Sequence, residues 1–220
     1  METAQGHLLS VNVGSAREFD YEGQRTSSAI WKSPVAGRVA ARGVNLAGDD
    51  QADRSVHGGP DKAIYSYAIE DTHWWERELG RKLEFGQFGE NLTIEGMDLT
   101  SALVGERWAV GSAVLEVSEP RMPCWKLGVR MENPQFLRQF TEAGRPGMYF
   151  RILVEGELGA GDGIEVVERP DHDVSVGDMF RIFTRDRGEA ERFLAVPQMS
   201  ASWKRWAASA ILRPSRSAKR

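Results

Sequence analysis

A single cysteine, Cys124, serves all 220 residues. One cysteine excludes an internal disulfide and suits a reducing cytoplasm. No run of about 18 apolar residues is present, so no membrane-spanning helix is expected. Met1-Glu2-Thr3-Ala4-Gln5 has neither a charged n-region nor an apolar h-region, so no secretory leader is expected. Internal repeats and low-complexity tracts are missing. Histidine is scarce, at four residues, and the spacings of calcium loops and zinc proteases are absent.

What is present reads as a globular chain. Hydrophobic residues make up 41% and charged residues 27%, ordinary for a domain with a real core. The net charge of −4 conceals an asymmetry. Residues 192–220 hold seven of the 28 basic residues and none of the 32 acidic ones, so residues 1–191 carry a balance of −11. The main body is therefore not a polyanion-binding surface, and any anion site in it must be local. The basic end reads as a solvated, partly disordered tail rather than a nucleic-acid arm.

Short β-favouring runs dominate the first three quarters. Strands are expected at His7–Val13, Arg38–Arg42, Lys62–Ile69, twice within 102–117 around Gly111-Ser112, at Met148–Val154 and at Ile164–Val167. Residues 16–33 are polar and mixed and read as a long connection. Glu70–Leu79 reads as a helix turned inward on Trp74, Trp75 and Leu79, with Gly80 as its stop and His73 outside. Asn133-Pro134 reads as the start of another, Asn133 as N-cap. Many short strands, glycine turns and few helices point to a closed or nearly closed β-barrel. Beyond Arg169–Asp173 the period turns helical: Val174–Phe183, a segment around Phe193-Leu194, and Trp203–Ala210 capped by Ser200. The expected organisation is a barrel domain over 1–168, three helices over 172–212 and a tail over 213–220. Three short helices cannot bury a core alone and must pack on the barrel or on a partner chain; an exposed helical face favours a homodimer.

Chemistry concentrates around Cys124. The strand Ala113–Val117 runs into Pro120 and Pro123, which fix φ and remove backbone donors, so the thiol sits in a stiff loop at a strand end. Arg121 and Lys126 flank it, and positive charge favours the thiolate, which binds soft metals or acts as a nucleophile. The bland alternative is a small buried hydrophobe. Upstream, Asp49, Asp50, Asp53, His57 and Asp61 read either as an acidic solvent loop or as hard-metal ligands without a standard spacing. A third reading is an anion cradle: Gly58-Gly59 lets successive N–H groups converge, with His57 and Lys62 beside them. Phe85–Ile94, broken by Gly86 and Gly89, suggests a bulge or a close backbone approach to a ligand. There Asn91 either offers an amide to that ligand or bonds its own backbone.

Taken in order, His57-Gly58-Gly59-Pro60-Asp61-Lys62-Ala63, Phe88-Gly89-Glu90-Asn91-Leu92, Pro120–Leu127 around Cys124, and Gly147-Met148-Tyr149-Phe150-Arg151 resemble the MOSC family, its YiiM-like bacterial branch most of all. Trp31–Val35 and Gly48–Asp53 add to the match, which runs from about residue 7 to 168. The resemblance implies a MOSC-type, mainly β barrel with peripheral helices (α+β), followed by a small three-helix C-terminal domain. It implies a pocket for the molybdenum cofactor (molybdopterin), with Cys124 as the metal ligand and catalytic centre. His57, Gly58, Gly59, Lys62, Asn91, Arg121 and Lys126 become the candidate cofactor-binding residues. The implied activity is reduction of small N-hydroxylated compounds, such as hydroxylaminopurine-type base analogues, with electrons from a separate flavin- or iron–sulfur-type redox protein. The alternatives are a sulfur carrier with a persulfide on Cys124, and a non-catalytic cofactor-binding module. Two departures stand out: Glu119 where glutamine is commoner, and Glu106 where aspartate is.

Overall fold

The structure, a computed structural model, describes residues 5–51 and 58–212. In chain order the strands are β1 (Gln5–Val13), β2 (Arg17–Tyr21), β3 (Gln24–Ser28), β4 (Ser33–Pro34), β5 (Arg38–Arg42), β6 (Asn45–Leu46), β7 (Ile64–Ala68), β8 (Leu92–Glu95), β9 (Arg107–Val110), β10 (Ala113–Pro120), β11 (Met148–Val154), β12 (Gly156–Gly159) and β13 (Gly163–Glu168). The helices are α1 (Ile69–Leu79), α2 (Trp125–Arg130), α3 (Phe136–Ala143), α4 (Val176–Thr184) and α5 (Ala201–Leu212), with 3₁₀ turns at Pro60–Lys62 and Arg187–Ala195.

Seven strands close a mixed barrel in the order β13-β9-β10-β11-β7-β8-β1, and β1 returns to β13 through Gly6 opposite Ile164. The expected barrel is thus present, and closed. Every neighbour is antiparallel except β7 and β8. A parallel pair needs a crossover, and α1 with the Gly80–Asn91 segment supplies it. Alternation along the strands sorts the side chains. In β9, Trp108 and Val110 point inward, while Arg107 and Ala109 are half-buried outside. The interior is filled by Leu8, Ile64, Leu92, Ile94, Trp108, Leu115 and Phe150, among others. Just before it, Glu106 accepts a bond from the Trp108 indole at 2.9 Å.

β7 is buried on both faces. Ile64 and Ala68 face the barrel interior, whereas Tyr65 and Tyr67, one residue out of phase, enter a second core with Trp75, Phe88, Phe136 and Phe140 beneath α1 and α3. Tyr67 stacks on Phe88 at 4.1 Å and accepts the Trp75 indole N–H at 2.9 Å. Trp74 and Leu79 pack on this core, and His73 is exposed.

A third core joins α4, the 187–195 turn and α5. Trp203 and Trp206 meet Phe183 and Phe193 there, with Val104 and Met122 reaching in from the barrel side. α4 opens with a capping box between Ser175 and Asp178. The helices lie against β10 and the Leu103–Ser175 bridge. The 213–220 tail lies outside the described residues.

Four local expectations change. Residues 16–33 hold a hairpin, β2–β3, turning at Glu22-Gly23 with φ of 50° and 76°. Its polar alternation hides the strand period; what seats it is Phe19 on Trp31 and Tyr21 on Trp125. The third helix starts at Phe136, because the Asn133 side chain caps a preceding turn, accepting from Gln135 N at 3.0 Å. The segment around Phe193 is a 3₁₀ helix. Cys124 is followed at once by α2, which the paired prolines concealed.

Candidate active site

β10 ends at Pro120, and three residues carry the chain to Cys124, the N-cap of α2, in extended conformation. The thiol is half-buried and lines an open cleft of about 640 Å³. Lys62, Asn91, Arg121 and Lys126 line the same cleft, joined by Ser28–Ile30, Lys32, Asp49–Gln51, Tyr65, Gly89 and Tyr149. Five of the eight candidate residues thereby come together. Gly58 and Gly59 are not among the lining residues; Gly59, with φ of 89°, caps the turn that delivers Lys62. His57 lies outside the described residues.

Arg121 is 6% exposed. It donates to Phe88 O at 2.9 Å, and its guanidinium stands 5.1 Å from the Tyr65 ring centre. Burial works against its charge, yet Tyr65, Cys124 and Tyr149 hold the guanidinium above its ordinary value. Tyr65 and Tyr149 are register partners on β7 and β11, with rings 5.1 Å apart. Burial pushes Tyr149 up to about 12; Arg121 opposes this and Cys124 adds to it. Burial pushes the Tyr65 phenol up as well, so both phenols stay protonated at neutral pH, and Arg121 is a fixed cation next to the thiol.

Lys126 donates to Ser27 O at 2.8 Å, and Trp125 stacks on Tyr21 at 4.4 Å, so the β2–β3 hairpin clamps the start of α2 beside Cys124. Gly86 and Gly89 let their backbone approach the Ile30–Lys32 segment closely. A side chain at Gly86 would meet Lys32 O at 2.5 Å, and one at Gly89 would meet Ile30 Cγ1 at 2.7 Å. Glu90, fully buried, holds this turn by accepting from Gly86 N at 2.6 Å and Phe88 N at 3.0 Å.

Beneath the cleft lies a buried ion pair between Lys32 and Asp49. Asp49 also accepts from Gly14 N at 2.8 Å and from Asn91 Nδ2 at 3.0 Å. Asn91 donates further to Asn12 O at 3.2 Å and accepts from Tyr65 N at 3.1 Å. Its amide braces the loops of the cleft, and its own backbone is not the partner. Of the other acidic-loop candidates, Asp50 accepts from Ala16 N and Asp61 pairs with Arg151, while Asp53, like His57, lies outside the described residues; among the described residues no cluster of His, Cys, Asp and Glu could hold a metal ion. The residue types did not single out Lys32, Gln51, Tyr65 and Tyr149, and offered Asp49 only as a metal-ligand candidate. The tyrosines were visible as strand residues, but their shared face needs the register; the Lys32–Asp49 pairing leaves no local pattern.

The closed β-barrel thus carries a cleft on which the Cys124 thiol converges with Lys62, Arg121 and Lys126. The model of the MOSC domain matches residues 53–165, and the chain belongs to that family. It is 34% identical to YflK of Bacillus subtilis (strain 168) over 93% of this chain and 94% of that one. It is 32% identical to YiiM of Escherichia coli (strain K12), covering 81% and 82%. The crystal structure of YiiM from Geobacillus stearothermophilus superposes with a TM-score of 0.78 at 30% identity, covering 94% of this chain and 99% of that one.

Proposed function

We propose that this chain is a molybdenum-cofactor-dependent reductase of small N-hydroxylated compounds. The observation that carries this reading is the convergence of the Cys124 thiol with Lys62, Arg121 and Lys126 on one cleft. Family membership supports cofactor binding. A protein of Gibberella moniliformis named "Reductase" supports the reaction type; it is 35% identical over 75% of this chain, which spans 30% of it.

The donor set fits such a group. A soft thiolate suits molybdenum, and Lys62, Arg121 and Lys126 suit the cofactor's phosphate. Gln51 Oε1, a buried acceptor lining the cleft, has no protein partner among the described residues, as expected where a ligand completes the bonding. When bound, the cofactor supplies the redox centre for the two-electron reduction of an N–O bond. Cys124 would hold the metal, the three cations the anionic arm, and the Asn91–Asp49–Lys32 brace the shape of the cleft. Tyr65 and Tyr149 close one wall with protonated phenols. Electrons would come from a separate flavin- or iron–sulfur-type protein, in a reducing cytoplasm that keeps Cys124 a thiol. No helix among the described residues is long and apolar enough to cross a membrane.

The test is metal content after purification from a host that makes the cofactor. Near-stoichiometric molybdenum in wild type, lost in a folded Cys124→Ala variant, is the expected result. Molybdenum retained by that variant would overturn the ligand assignment. No molybdenum in wild type, with one extra sulfur on Cys124 by mass spectrometry, would replace the reading with a sulfur carrier.

A further inference from the structure

We propose that Glu119 is a built-in counter-anion for the cleft, holding Lys62 until an anionic ligand group takes the carboxylate's place. This rests on the reading of the cleft as a site for a ligand with an anionic arm. It adds a protein group that competes with that arm for one of its cations.

Glu119 lies on β10 opposite Tyr149 and is 4% exposed. A carboxylate so far from water is costly unless paired. Its Oε1 is 3.5 Å from Lys62 Nζ, and Lys62 lines the cleft with 30% of its side chain exposed. That separation exceeds the roughly 2.7–2.9 Å of a tight charge-assisted bond, so the ammonium is held but can be drawn away by a better-placed anion. The neighbouring carboxylate, Asp61, is taken by Arg151 at 2.6 Å.

Burial pushes the Glu119 carboxyl upward, while Lys62 favours its ionised form. The pairing therefore holds ammonium and carboxylate together, and an incoming anion must displace the carboxylate to engage Lys62.

The experiment titrates the full chain, purified without cofactor, with inorganic phosphate at low ionic strength by calorimetry. Wild type is compared with Lys62→Met and Glu119→Gln. Lys62→Met is expected to weaken binding about tenfold. Glu119→Gln, which keeps the shape of the side chain but removes the charge, is expected to tighten it about tenfold, less as salt rises. If Lys62→Met weakens binding while Glu119→Gln leaves it unchanged or weaker, the counter-anion role is wrong and the cleft reading stands. If Lys62→Met binds like wild type, or wild type does not bind phosphate, both fail. Far-ultraviolet dichroism checks each fold.

Discussion

Asp49→Ala removes one half of the ion pair under the cleft. Lys32 and Asp49 side chains are 8% and 2% exposed, so the lysine would be left buried without its partner. Breaking such a pair costs about 3–5 kcal/mol. The same change strips the acceptor from Gly14 N and from one Asn91 donor, but the adjoining cleft lets water replace part of that. At about 2–4 °C per kcal/mol for a chain of this size, Tm should fall by roughly 10 °C. Lys32→Met leaves Asp49 with two hydrogen-bond donors and should cost less, about 1–3 kcal/mol. The double variant should cost less than the sum by at least about 1 kcal/mol. Urea unfolding monitored by tryptophan fluorescence measures all three.

The pair also predicts a pH effect. Burial pulls the Lys32 amine below its ordinary value of 10.5, outweighing the attraction of Asp49. Between that depressed value and 10.5 the unfolded chain binds more protons than the folded one. Wild-type stability therefore gains from Lys32 as pH rises through this window, and the gain should vanish in Lys32→Met. A loss below about 1 kcal/mol for Asp49→Ala, additive with Lys32→Met, would refute the reasoning, since a buried charge without its partner cannot be so cheap.

Gly86→Ala places a methyl against Lys32 O at a residue with φ of 79°, and should destabilise by about 2–4 kcal/mol in the same urea assay. Arg121→Gln should slow alkylation of Cys124 by iodoacetamide severalfold, because the fixed cation beside the thiol is lost; an unchanged rate would show that Arg121 does not act on it. Lys126→Met releases the bond to Ser27 O and should speed limited proteolysis at the Glu22-Gly23 turn, with a change in global stability below about 1 kcal/mol.

The strands with clear alternation, β1, β5, β11 and β13, were legible within a residue or two, as was α1 up to Gly80 in the left-handed conformation. Their apolar faces are written locally. The β2–β3 hairpin was not legible, because its packing comes from two aromatics that meet Trp31 and Trp125 only in the folded chain. The start of α3 failed for the opposite reason: Asn133-Pro134 carries good local turn chemistry that is used one turn earlier than a helix cap.

The candidate site divides in the same way. Cys124 after its prolines, with Arg121 and Lys126 alongside, could be read as a reactive segment from residue types alone. So could Lys62 beside its glycines, and the family to which these motifs belong. What the residues of the cleft bind among themselves could not. Asn91 reaches Asp49 across 42 positions and Asn12 across 79, and Glu119 on β10 meets Lys62 of the 60–62 turn. Sequence patterns record which side of an element avoids water, since each residue carries that preference with it. The partner of a buried charge is decided only when barrel closure and strand register bring distant segments within a few ångströms, and that is a property of the tertiary structure alone.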